Sequence, residues 1–127
     1  MIPAIAQLLR AAEDKVEASE LLLREGLNGD AASRAYYAAF HAISALHLAR
    51  GQTFSSHAQL IGRFNKDFVR SGVFPPEYTR ILTRLFEDRQ LGDYDATAEI
   101  DRDQASQDVT DARRIVAEIH AHLCQPE

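Results

Sequence analysis

The sequence has a single cysteine, Cys124, so it forms neither an intrachain disulfide nor a cysteine-based zinc site. It has no tryptophan, and no apolar run approaches the roughly 20 residues that span a bilayer. Its first residues, Met1-Ile2-Pro3-Ala4-Ile5, lack the basic start and apolar stretch of a secretory signal. Together these absences lead us to expect a soluble, cytoplasmic protein with no membrane partner. Positive charge is also short: 14 lysines and arginines face 19 aspartates and glutamates, for a net charge of −5. A domain built to grip duplex DNA needs the opposite balance, because phosphate neutralisation supplies most of such binding. Period-two alternation is missing throughout, which argues against sheet.

What is present fits one domain. The 127 residues are 46% hydrophobic and 26% charged, enough apolar material for one core. Helical spacing predicts five segments. Ile5, Leu8, Leu9, Ala12, Val16, Leu22 and Leu23 mark the first. The second starts near Asp30, as N-cap, and runs to Arg50. The third opens at Ser55/Ser56, where Ser56 and Gln59 have capping-box spacing. The fourth opens at Pro75-Pro76-Glu77, since proline suits a first helical turn. The fifth begins near Asp101, with Val109, Ala112, Ile115, Val116 and Ile119 on its inner face. Gly26, Gly51, Gly72 and Gly92 each follow an arginine by one to three residues, as helix stops should. The expected fold class is therefore all-α, an antiparallel bundle of four to five helices. The second helix is apolar on most sides and rich in alanine, so it should lie centrally, its small side chains admitting close neighbours or another subunit.

Arg89 breaks the pattern of its helix. Tyr78, Leu82, Leu85 and Arg89 are spaced four, three and four apart, so an arginine ends a core-facing row. Arg80 and Arg84 fall on other faces and read as ordinary outward arginines. An inward guanidinium needs an anion, a carboxylate or carbonyls, and its forked donors suit phosphate. A bond to Asp93, Asp95 or a carbonyl would equally satisfy it. Beyond it lies Gly92-Asp93-Tyr94-Asp95, in the longest connection. Ser33, Tyr37 and His41 are four apart on the second helix and form one polar row, which would bring an imidazole to Arg89 if the two faces meet. His120 and His122 are two apart and make no metal pair, and the glutamate-x-x-histidine pattern of di-iron bundles is missing. We expect no metal and no cofactor. Arg63, Lys66 and Arg70 share a face of the third helix, and residues 63–89 carry a local balance of +2 in an otherwise acidic chain.

The run Ser33-Arg34-Ala35-Tyr36-Tyr37-Ala38-Ala39-Phe40-His41, the helix ended at Gly51, and Arg89 followed by Asp93-Tyr94-Asp95 resemble the HEPN superfamily. More narrowly they resemble its branch of small, mostly uncharacterised members, over nearly the whole chain from the first helix to the last, and residues 1–127 are expected to form a single such domain. It implies a helical bundle, commonly a homodimer. Many members are metal-independent endoribonucleases, others pair with a minimal nucleotidyltransferase in toxin–antitoxin modules, and others bind nucleotides or act as scaffolds. The ribonucleases carry an arginine and, after four to six residues, a histidine. Arg89 matches the arginine, but Tyr94, Asp95 and Ala96 stand where the histidine would be. Proton transfer near neutral pH suits histidine and suits tyrosine poorly.

The candidate catalytic residues are accordingly Arg89 for phosphate charge, Asp93 as a base if its pKa is raised, and Tyr94. In some members the partner attaches AMP to a tyrosine two residues beyond that histidine. Ala96 occupies the matching position, leaving Tyr94 as the nearby acceptor. Ser33, Arg34, Tyr37 and His41 are the candidate RNA- or nucleotide-binding residues. The expected function is one half of a toxin–antitoxin-type module with a nucleotidyltransferase partner. A non-catalytic nucleotide-binding or protein-interaction bundle and a divergent metal-independent endoribonuclease are the alternatives.

Overall fold

Among the described residues five α-helices account for most of the chain: α1 (Pro3–Arg24), α2 (Asn28–Ala49), α3 (His57–Phe64), α4 (Glu77–Tyr94) and α5 (Arg102–Leu123). The structure is a computed structural model that describes residues 1–94, 96–97 and 99–125, with Tyr94 described by its backbone alone. No strand occurs among the described residues, and no helix among them is long and apolar enough to cross a membrane.

Cross-helix pairs give the topology. Glu20 meets Arg113 and Glu13 meets His120, so α1 and α5 run antiparallel. Gln104 reaches Asp88, while Arg114 reaches Glu77, so α5 and α4 do likewise. Gly92 near the end of α4 lies against Gly29 at the start of α2. Helices α1, α2, α4 and α5 therefore form an up-and-down bundle, with α3 packed beside α2 and α4.

Helix α2 is the central element. Ala31, Ala35, Ala38, Ala39, Ala42 and Ala45 are all fully buried, as are Tyr36 and Ile43. Alanine brings α1, α4 and α5 close on three sides, and the rings and branched side chains fill the remaining space with Leu82, Leu85, Ile115 and Ile119.

The helix ends show how the sequence sets these boundaries. Gly26 and Gly51 take positive φ values of 78° and 73°. Behind each, paired amide-to-carbonyl bonds close the last turn, Leu27 N to Leu22 O at 3.0 Å and Gln52 N to His47 O at 2.9 Å. Ser56 Oγ accepts from Gln59 N at 3.1 Å, and an Asp101 carboxylate oxygen accepts from Gln104 N at 2.8 Å.

Three boundaries differ from the sequence expectation. Helix α2 starts at Asn28, before Asp30, with Leu27 at the cap and Asp30 in its first turn. The third segment is not one α-helix but passes into a π-helical turn over Asn65–Val69, steadied by Thr79 Oγ1 donating to Asn65 Oδ1 at 2.7 Å. Gly92 does not stop α4, which runs on to Tyr94. A Cβ at Gly92 would stand 2.6 Å from the Gly29 carbonyl oxygen. The glycine thus serves backbone contact between two helices, a use that looks the same in sequence as a helix stop.

Candidate functional site

The stripe on α4 turns polar at its end. Tyr78, Leu82 and Leu85 are buried in the core, and Arg89, one turn on, is still only 8% exposed. Its Nη2 donates to Tyr37 Oη at 2.5 Å. Its Nε lies 3.2 Å from Asp93 Oδ2, an ion pair across one turn of α4. The guanidinium carbon sits 5.2 Å from the ring centre of Tyr37, 5.8 Å from that of Tyr36 and 5.9 Å from that of Phe86. Three π faces around one cation lower the cost of burying it, each by about 0.5–2 kcal/mol. Asp93 itself is exposed, so the inner half of the ion pair is fixed and the outer half can exchange.

Of the polar row expected on α2, Tyr37 reaches Arg89 and His41 does not. The His41 ring packs edge-on to Phe40, with centres 5.9 Å apart. Burial, then the Lys15 charge from α1, lower its pKa. Ser33 is buried one turn before Tyr37, and Arg34 is exposed. The side chain of Tyr94, and all of Asp95, lie outside the described residues.

The imidazole that does approach Arg89 is His57, at the first position of α3, a residue the sequence did not single out. Its Nδ1 lies 2.5 Å from Tyr36 Oη. Its ring centre is 4.7 Å from that of Phe40, 5.5 Å from Tyr36, 5.9 Å from Phe86 and 6.5 Å from Tyr37. Burial, then the Arg89 charge, push its pKa below the ordinary histidine value. Burial raises the pKa of the Tyr36 phenol, so that hydroxyl keeps its proton. Nothing in the helical periodicity marks His57. It is the first residue after a cap, and only the packing of α3 on α2 and α4 carries it to the rings.

A second polar cluster corrects the expectation for Arg84. Instead of pointing outward, it bridges α4 to α5. Its Nε donates to Asp108 Oδ1 at 2.9 Å, and its Nη2 pairs with Asp111. Asp108 is fully buried beside Asp88, and Gln104 Nε2 donates to Asp88 Oδ1 at 2.7 Å. The remaining oxygens, Asp88 Oδ2 and Asp108 Oδ2, are buried with no protein donor, the arrangement that a shared proton satisfies. Burial and then the Asp88 contact raise the Asp108 pKa to about 8. This cluster was readable: Asp108 lies four residues before Ala112 and seven before Ile115, on the core face of α5. No group of three or more metal-binding side chains occurs among the described residues.

Comparison with known proteins gives the family and the fold. The family model described as HEPN domain matches residues 5–122. A protein of Thermotoga maritima named "UPF0332 protein" is 36% identical over 94 residues, covering 74% of this chain and 71% of that one. A protein of Methanocaldococcus jannaschii named "Putative toxin" is 37% identical over 90 residues, covering 71% of this chain and 67% of that one. The crystal structure of TT1696 from Thermus thermophilus has the same fold, with a TM-score of 0.79 over 94% of this chain and 98% of that chain, at 21% identity.

Proposed function

Because the chain belongs to the HEPN-domain family, we propose that it is one half of a toxin–antitoxin-type module. In this reading it works with a nucleotidyltransferase partner, and the Arg89 site holds a phosphate of RNA or of a nucleotide. The observation that carries the reading is the inward guanidinium of Arg89, fixed on Tyr37 Oη at 2.5 Å. A neutral hydroxyl does not cancel the positive charge, which an anion on the outer side of the guanidinium meets. Asp93 takes that position at 3.2 Å, and being exposed it can give way to a phosphate that brings more charge. The toxin names of two relatives support the module.

The ribonuclease reading gains one specific observation, since the His57 imidazole packs on the Tyr36, Tyr37 and Phe86 rings that also border Arg89. The scaffold reading gains none.

Expression of the chain in a bacterial host tests the proposal. Wild type should slow growth, co-expression of a nucleotidyltransferase encoded beside it should restore growth, and Arg89→Ala should be harmless at equal soluble level. Growth arrest that persists undiminished in Arg89→Ala would remove the phosphate site from the function.

A further inference from the structure

We infer that His57 is a second phosphate donor, locked in one tautomer by Tyr36 so that its Nε2–H faces the same anion that Arg89 binds. The inference rests on the phosphate reading of Arg89 and adds the residue that shapes the other side of the site.

Three observations carry it. First, His57 and Arg89 share their surroundings. Both lie against the rings of Tyr36, Tyr37 and Phe86, the guanidinium carbon within 5.9 Å of each centre and the imidazole within 6.5 Å. Two polar heads on one aromatic floor can meet one ligand.

Second, Tyr36 fixes the tautomer. Tyr36 is 1% exposed, and its hydroxyl meets one partner, His57 Nδ1. A buried phenolic O–H must donate to something, since leaving it unmatched is costly. Donation to Nδ1 is possible only if Nδ1 carries no proton, which places the ring proton on Nε2. The reverse arrangement, Nδ1–H donating to the phenol oxygen, strands the Tyr36 hydrogen among Tyr37, Phe40 and Phe86.

Third, Nε2 is the free end of the ring. Among the described residues it has no hydrogen-bond partner, and it is not sealed from solvent. The lowered pKa of the ring agrees with this, because protonation would cost the Tyr36 bond and place a second cation beside Arg89.

The ligand class follows from the donor set. Arg89 supplies charge and a planar fork, while a neutral imidazole supplies one directed N–H. Together they fit a phosphate ester with at least two outward oxygens, as in an RNA diester or the monoester of a nucleotide. In this form the outward nitrogen of His57 is a donor that positions the phosphate.

Long-range proton–nitrogen correlation spectra of the unmodified protein at pH 7 read the tautomer directly. A protonated Nε2 and a bare Nδ1 on His57 are expected, and a protonated Nδ1 would overturn the inference. Binding is then measured in chelator with a fluorescein-labelled single-stranded oligoribonucleotide, with AMP as competitor, and with circular dichroism melting to check each variant. His57→Ala should weaken binding about tenfold, the scale of one hydrogen bond to a charged group. His57→Gln, whose amide nitrogen can stand where Nε2 stood, should restore it to within about threefold. Competition by AMP at the same His57 dependence identifies a monoester site, and binding of the oligonucleotide alone identifies a diester. If His57→Ala binds like wild type while Arg89→Ala does not bind, His57 is excluded and the Arg89 reading stands. If His57→Gln is as weak as His57→Ala, the donor role is wrong. If wild type binds neither probe, the phosphate reading fails, and this inference with it.

Discussion

Arg89 and Asp93 are one helical turn apart, and their pairing sets what the site can exchange. The arginine is held on its inner side by Tyr37 and by the rings, while Asp93 is exposed. Under the phosphate reading Asp93 is a built-in competitor: its carboxylate and an incoming phosphate seek the same donor. Asp93→Asn keeps the size and removes the charge. It should tighten AMP binding about three- to tenfold, as measured by titration calorimetry, because the exposed competitor contributes little stability of its own. Unchanged or weaker binding would mean that the phosphate does not displace Asp93. The contrast between Arg89 and His57 shows what single residues disclose. Arg89 is visible because its four-three-four spacing from Tyr78 places it on a row whose other members are apolar. His57 has no such row behind it. Its partner Tyr36 is 21 residues away on another helix, and no local period connects them. Arg84 was misassigned for a related reason: spacing identified its face but not the buried carboxylates of α5 that cover that face.

At the scale of elements, the α4–α5 seam carries a titratable interface. Asp108 is fully buried between Arg84 and Asp88, and burial raises its pKa to about 8 from the ordinary 3.8. The sign of its effect follows from proton counting. Between those two pH values the unfolded chain has lost the proton and the folded chain has kept it. Folding stability should then fall as pH rises through the window, levelling off above about pH 8. Asp108→Asn imitates the protonated form: its Oδ1 still accepts from Arg84, and its amide can donate to Asp88. The variant should melt near wild type at pH 4 and above it at pH 8, with a gain on the order of 1–3 kcal/mol. A wild-type stability that is flat from pH 4 to 8, matched by the variant, would show that no proton is shared. Helix count and order were legible because caps and periodicity are local signals. The run of α4 through Gly92 was not, because the Gly29 carbonyl that excludes a side chain there comes from 63 residues earlier in sequence.

For the whole molecule, charge and site point in different directions, and that contrast makes the binding mode testable. The chain carries −5, and several of its arginines are already engaged: Arg63 with Asp67, Arg84 with Asp111, Arg113 with Glu20 and Arg114 with Glu77. A net negative chain is poorly suited to follow an RNA backbone, so affinity under the phosphate reading comes from one or two phosphates at Arg89. Counterion release then has a small slope. Each phosphate neutralised on a single strand contributes about −0.7 to the dependence of log affinity on log salt. The oligoribonucleotide should therefore show a slope between about 0 and −1.5, and the net negative charge should flatten it further at low salt, where repulsion is least screened. A slope steeper than about −3 would require an extended basic track. It would place the RNA across the third-helix face of Arg63, Lys66 and Arg70 instead of at Arg89, and would make the aromatic site a structural feature of the bundle.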